Sequence, residues 1–237
     1  LSVDADLRGK TCKNHSATHL LQKALQIVLG DHVEQQGSYQ DGARTRFDFS
    51  HGQAMTAEEL AKVEALVNEK IAEDIAVVTD VMNIEDAKKS GAMALFGEKY
   101  GDTVRVVSMG DFSIELCGGT HVANTGEIQA FKIVSEAGVA SGVRRIEALT
   151  GKGVLNFLQE KQTLILDTAK ALKTTPHDLL GKVEQLLEEI RDTNKKVEKL
   201  SAKVANMQMI DLFNLSRDVK GVNVIAAKLE DVTPDML

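Results

Sequence analysis

Four residues in two short segments carry the chemistry open to this sequence. His15 and His19 stand four apart in Asn14-His15-Ser16-Ala17-Thr18-His19, and Cys117 and His121 stand four apart in Cys117-Gly118-Gly119-Thr120-His121. Imidazole and thiolate are ligand types that zinc favours, and two pairs of them supply the four that a tetrahedral site takes. The bland reading of the first pair alone is two surface histidines. Only two cysteines and six histidines occur in 237 residues, however, so a cysteine beside Gly-Gly and a histidine stands out. A shared Zn2+ held by His15, His19, Cys117 and His121 is therefore the expectation.

The elements that must position these residues can be read from periodicity. From Thr11 to Leu29 the sequence reads as a helix, with Thr11 as N-cap and Gly30 as the stop. At about 100° per residue, Ala17, Leu20, Leu21, Ala24, Leu25 and Val28 gather on one side, while His15 and His19 fall on the other with Gln22 and Gln26, and Thr18 at the margin. Such a helix packs one face on a core and turns a polar face to a cleft. After it, Val33 to Tyr39 reads as a loop or short strand, and Thr45, Phe47 and Phe49 alternate with charged residues as in a half-buried strand. Thr56-Ala57-Glu58-Glu59 is a capping box opening a helix to about Asp74.

Further on, Val77 to Val81 reads as a strand, Ile84 to Lys89 as a short helix and Val104 to Met109 as a strand, and Ile114 to Leu116 delivers the chain to Cys117. The Gly118-Gly119 pair lets the backbone turn tightly and approach something closely. Ile128 to Ser135 and Val143 to Leu149 read as two more strands separated by a Gly-rich stretch. This unordered mixture of helices and strands predicts an α+β domain over residues 1-150, with helices packed on a largely antiparallel sheet.

From Val154 the pattern becomes a heptad repeat: Leu155, Leu158, Gln162, Ile165, Ala169 and Leu172, then, after Thr174-Thr175-Pro176, Leu179, Val183, Leu186, Ile190, Thr193, Val197, Leu200, Val204 and Met207. Thr175 can cap and Pro176 can open the second helix. The expected product over 151-218 is an antiparallel coiled-coil helical arm whose longer second helix is left to pair with something else. The alternative is two helices of an ordinary bundle. A strand is expected within 222-227, so residues 219-237 read as the start of a further domain. With Leu1 in place of Met, the chain reads as a piece of a longer protein.

Composition narrows the class. The chain is 43% hydrophobic with a formal net charge of −7, has no run of about 18 apolar residues and no leader-like opening. Neither a membrane span nor a signal peptide is expected, and two cysteines in unlike surroundings do not make a disulfide framework; a cytoplasmic location fits, with Cys12 a buried or idle thiol. The acidic balance argues against a general nucleic-acid binder. It leaves open a local basic patch from Arg8, Lys10, Lys13, Arg44, Arg46, Arg144 and Arg145, against the alternative that these are solvated charges.

The segments His15-Ser16-Ala17-Thr18-His19, Gln35-Gln36-Gly37-Ser38, Arg46-Phe47-Asp48-Phe49, Glu115-Leu116-Cys117-Gly118-Gly119-Thr120-His121 and Gly142-Val143-Arg144-Arg145-Ile146-Glu147 together closely resemble the editing domain of bacterial alanyl-tRNA synthetases. The likeness continues through the heptad arm into the start of a C-terminal domain. It implies a deacylase that removes serine or glycine wrongly attached to alanine tRNA, with tRNA as partner and a homodimer formed through the arm or a C-terminal domain. By the same resemblance His15, His19, Cys117 and His121 match the zinc ligands, Gln35 matches a position in the editing pocket, and Thr18 and Ser38 sit where pocket hydroxyls are expected.

Physical chemistry limits that expectation. A zinc ion with four protein ligands has no open position for water, so it acts mainly by shaping the pocket unless its coordination changes. An amide takes up no proton near neutrality, so Gln35 positions water or substrate by hydrogen bonding. Serine is larger than alanine, so a site sparing alanyl-tRNA must read the hydroxyl. Thr18, next to the histidine face, is the expected reader; glycine is not explained by this argument. Two other readings stand beside it: a threonyl-type or free-standing aminoacyl-tRNA deacylase, and a non-catalytic module in which zinc staples the first helix to the strand before Cys117.

Overall fold

The computed structural model describes residues 2–89, 91 and 101–226. The chain divides into two compact units, Leu1–Lys161 and Gln162–Leu237, with the division falling inside a helix.

The first unit opens with α1 (Ala5–Leu29), which begins six residues before the expected Thr11 start because Asp4 accepts the Leu7 N–H at 3.0 Å and caps it. Thr11 lies inside the helix, its hydroxyl donating to the Leu7 carbonyl at 2.9 Å. Four antiparallel strands form the main sheet in the order β1-β2-β7-β6: β1 (Gln35–Gln40), β2 (Thr45–Ser50), β6 (Phe131–Ala140) and β7 (Val143–Thr150). Helix α2 (Ala57–Ala72) carries the expected capping box between Thr56 and Glu59. Its Asn68 covers the free edge of β6 as another strand would, accepting the Phe131 N–H and donating to the Phe131 carbonyl, both at 2.9 Å. A second antiparallel sheet, β3-β4-β5, consists of β3 (Val77–Asn83), β4 (Thr103–Met109) and β5 (Ser113–Leu116), with the short α3 (Ile84–Lys89) beside it. The stretch expected to open a strand at Ile128 is instead a 3-10 turn, Thr125–Ile128. The Gly-rich separator is mostly strand, because β6 and β7 meet in a tight turn in which Gly142 adopts φ 70°.

The core lies between α1, α2 and the main sheet. Ala17, Leu20, Leu21, Ala24 and Leu25 of α1 pack with Phe47 and Phe49 of β2, Val63 and Val67 of α2, and Ile146 of β7, all fully buried. Each large side chain among them contributes about 1.5–3 kcal/mol on burial. Residues opposite one another in antiparallel strands share a face. On the face away from Phe47 and Phe49, Asp48 stands opposite Arg145, which grips it through two nitrogens at 2.6 and 2.7 Å.

Helix α4 (Lys152–Ala171), whose later half belongs to the second unit, gives way after a seven-residue connection to α5 (Leu179–Asn214). Thr175 accepts the Asp178 N–H at 3.3 Å in the turn that leads to the helix, which begins at Leu179. Ala169 is buried and Leu172, Leu179 and Leu186 are half-buried. Farther along α5 the apolar stripe stays open, with Ile190, Val197 and Leu200 at 55–60% exposure. A small hairpin, β8 (Arg217–Val219) and β9 (Val222–Val224), follows; the rest of the expected 219-237 segment lies outside the described residues. Among the described residues no helix is long and apolar enough to cross a membrane.

Candidate metal centre and adjoining pocket

Three elements meet at the site. Helix α1 presents His15 and His19 one turn apart, and β5 ends where Cys117 begins, its N–H still held by the Arg105 carbonyl of β4 at 3.0 Å. The turn after Cys117 brings His121 back over α1, where the Ser16 hydroxyl accepts the Val122 N–H at 3.1 Å. One ligand atom from each of His15, His19, Cys117 and His121 lies within 4.8 Å of the others. Cys117 Sγ is 3.5 Å from His15 Nε2 and 3.3 Å from His121 Nε2. With metal–ligand distances of about 2.0–2.3 Å, the edges of a zinc tetrahedron measure about 3.3–3.8 Å. The donor types fit a zinc ion, and the two edges from Cys117 match that spacing.

Gly119 of the turn is explained by the same packing. A Cβ on Gly119 would sit 2.1 Å from His15 Cε1, so a side chain there would displace a ligand. Arg105 holds the turn from the other side, donating through Nη1 to the Gly119 carbonyl and through Nη2 to Thr79 Oγ1 at 3.4 Å. The electrostatics suit a cation. Burial pushes the Cys117 thiol up, but hydrogen bonds from His121, His15 and His19 outweigh it and bring the pKa down to about 3, which makes the group a thiolate. Burial opposes charge on His19 too, yet the Glu115 carboxylate and the Cys117 thiolate raise its pKa to about 10. Burial pushes His121 down, towards the neutral form that binds metal.

Against the ligands lies a cavity of about 80 Å³ lined by His15, Thr18, His19, Gln22, Gln35, Ser38, Glu115, Leu116 and Cys117. Gln35 and Ser38 are three apart on β1, and regular alternation would send them to opposite faces. A bulge between Gln35 and Gly37 shifts the register, so that Gln35 pairs with Phe49 and Ser38 with Phe47, and both side chains point to the core side. Thr18 is nine-tenths buried and its hydroxyl is fully engaged: it donates to the Asn14 carbonyl at 2.8 Å, lies 2.6 Å from Thr45 Oγ1 and accepts from Gln40 Nε2 at 3.3 Å. Gln40 also donates to Ser38 Oγ at 2.5 Å, tying the two pocket hydroxyls together.

The sequence assigned no role to Ser16 or Glu115 and did not single out Gln40 or Arg105. For Glu115 a signal existed: an acidic residue at an inward position of the alternating Ser113–Leu116 strand. Of the arginines left open as a basic patch, Arg144 pairs with Glu136 at 2.5 and 2.8 Å on the Phe49 side of the main sheet, and Arg44 with Glu147 at 2.7 Å. Arg46 lies 5.9 Å from the centre of the Tyr39 ring. Lys10 and Lys13 line a separate cleft of about 500 Å³ with Lys152.

Comparison with known proteins now bears on the site. Residues 104–147, which include Glu115, Cys117 and His121, match the family described as "Threonyl and Alanyl tRNA synthetase second additional domain". The chain is 58% identical over 231 residues to "Alanine--tRNA ligase 1" of Lachnoclostridium phytofermentans, covering 98% of this chain and 26% of that protein. Similar likeness holds for the "Alanine--tRNA ligase" of Nitrosomonas eutropha, 51% over 230 residues and 97% and 27% of the two chains, and for that of Polynucleobacter asymbioticus, 50% over 235 residues and 99% and 27%. The chain is a homologue of the alanine--tRNA ligases. This ligase homologue spans about a quarter of the length of the curated relatives it matches. The matched family segment runs from β4 to β7 and contributes half of the histidine and cysteine ligand set; the other half comes from α1.

Proposed function

We propose that the first unit is the editing part of an alanine--tRNA ligase, a cytoplasmic hydrolase acting on the ester of seryl or glycyl groups wrongly attached to alanine tRNA. The observation carrying this reading is a His3Cys cluster beside a small pocket lined by hydroxyl and amide side chains, in a homologue of ligases that must handle aminoacyl-tRNA. Zinc held by His15, His19, Cys117 and His121 would supply a fixed positive charge at the pocket wall, where the ester carbonyl gains negative charge as water adds. In this reading Gln35 orients water or substrate by hydrogen bonding, the ester C–O bond breaks, and the amino acid leaves as a carboxylate while the terminal ribose regains its hydroxyl. For Thr18 to read a serine hydroxyl it must exchange its longest contact, to Gln40, for the substrate; Gln40 keeps Ser38 as partner. Ser38 then helps to hold Gln40 at the pocket rim. The exposed stripe on α5 is proposed to pair in the arm or between two copies.

A second reading is favoured by the closed ligand set: four protein ligands are what a purely structural zinc takes. One assay separates the two. The purified chain is offered seryl-tRNA and alanyl-tRNA for alanine at high protein concentration, and ester loss is followed. Turnover of the seryl form, abolished or reduced at least about 100-fold by Cys117→Ala, is the expected result. A folded, zinc-loaded wild-type chain that hydrolyses neither ester supports the structural staple instead.

A further inference from the structure

Two buried polar residues beside the ligands belong to the same two segments, and each touches a histidine from the other. Glu115, in the second segment, places its carboxylate Oε2 2.7 Å from Nδ1 of His19 in the first, with both side chains 7% exposed. The carboxylate lies off the ring's N–H axis, so the contact is electrostatic more than a well-aligned hydrogen bond. Ser113 Oγ donates to the other Glu115 oxygen at 3.1 Å and anchors it. In the opposite direction Ser16, in the first segment and fully buried, lies 3.1 Å from Nδ1 of His121 in the second. The same hydroxyl oxygen accepts the Val122 N–H, which fixes its position. His121 meanwhile turns Nε2 to Cys117.

We infer that Glu115 and Ser16 are positioning residues for the metal, a reciprocal brace in which each ligand segment orients a histidine supplied by the other. The inference rests on the metal reading above and goes beyond it. Nδ1 of a histidine that binds zinc through Nε2 carries a proton, and a fixed acceptor for that proton selects the tautomer and holds the ring angle. For His19 the Glu115 carboxylate, 2.7 Å from Nδ1 but off its N–H axis, favours the Nδ1–H tautomer electrostatically and adds a negative charge next to a site whose zinc and thiolate together leave one positive charge. For His121 the acceptor is a hydroxyl. The brace also explains why the two segments dock as a unit. Each supplies two ligands and one support, so neither is preorganised without its partner.

The test measures zinc affinity, by competition with a chromophoric chelator, and the visible spectrum of the cobalt-substituted chain, for the wild type, Glu115→Gln, Glu115→Ala and Ser16→Ala. Folding of each is checked by circular dichroism. Loss of a supporting acceptor lowers metal affinity by about 10- to 100-fold. Glu115→Ala is expected at the upper end of that range, and Glu115→Gln and Ser16→Ala at the lower end, each with a shifted cobalt spectrum. A merely structural role leaves that spectrum unmoved. Folded Glu115→Gln and Ser16→Ala chains with wild-type affinity and spectrum overturn the brace; should Glu115→Ala fail to fold, these two variants decide. A wild-type chain that takes up no zinc overturns the brace together with the metal reading. If the wild type binds zinc, the variants bind it more weakly and no chain hydrolyses seryl-tRNA, the brace stands and only the proposed reaction falls.

Discussion

In the proposed editing reaction, specificity turns on the Thr18 hydroxyl. It has one donor and two acceptor positions, and Asn14, Thr45 and Gln40 occupy all of them. Thr18→Val keeps the shape and removes the hydroxyl, so hydrolysis of seryl-tRNA is expected to fall by at least about tenfold relative to glycyl-tRNA; equal losses, measured as the ratio of the two rates, remove Thr18 as the reader. The ligand cluster gives a second expectation, for the chain stripped of metal. Cys117 has its pKa lowered from 9.0 to about 3 and His19 has its pKa raised from 6.5 to about 10. The Cys117 contribution is complete above pH 9 and lost as pH falls towards 3, while that of His19 is complete below pH 6.5 and lost as pH rises towards 10. Between pH 6.5 and 9 the folded and unfolded forms each hold one proton on the pair, so stability is flat there, falling below pH 6.5 and above pH 9. Urea unfolding across that range, with chelator present, checks the plateau; a steady slope between pH 6.5 and 9 excludes the thiolate–imidazolium pair.

At the scale of elements, the site depends on where α1 and α2 hold the main sheet. Helix α1 buries one face against Phe47 and Phe49 and turns the other to the pocket, so the core fixes the height of His15 and His19 over the strands. Helix α2 closes the far edge of the sheet through Asn68, which satisfies both backbone groups of Phe131. Asn68→Ala leaves that buried amide and carbonyl unpaired, and a loss of about 1–3 kcal/mol is expected in chemical denaturation. A change within about 0.3 kcal/mol would mean that water replaces the side chain at that edge. The β1 bulge works at the same scale: a single extra residue, Gln36, lets Gln35 and Ser38 share a face.

For the whole molecule, the two units call for different kinds of stabilisation. The first closes its own core, whereas α5 is 36 residues long and leaves Ile190, Val197, Leu200 and Val204 more than half exposed. An open stripe of that length calls for a partner. Sedimentation of the chain is expected to show a concentration-dependent dimer that Ile190→Lys together with Val197→Lys disperses; a strict monomer at high concentration confines the arm to a spacer role.

Residue type and spacing were enough to nominate His15, His19, Cys117 and His121, because zinc constrains its ligands chemically and a helix fixes the i, i+4 relation locally. Periodicity was enough for α2, α3 and the strand leading to Cys117, since each buries one face at its own period. Other features arise from competition between nearby groups or from contacts between residues farther apart in the chain. Asp4 outcompetes Thr11 as the cap of α1; the bulge that brings Gln35 beside Ser38 is set by pairing with β2; the acids that engage Arg144 and Arg145 come from neighbouring strands. The Glu115–His19 and Ser16–His121 contacts span about a hundred residues, and no local pattern encodes them. Only the folded chain decides them, because a buried polar atom must find whichever partner the packing of the core leaves within reach.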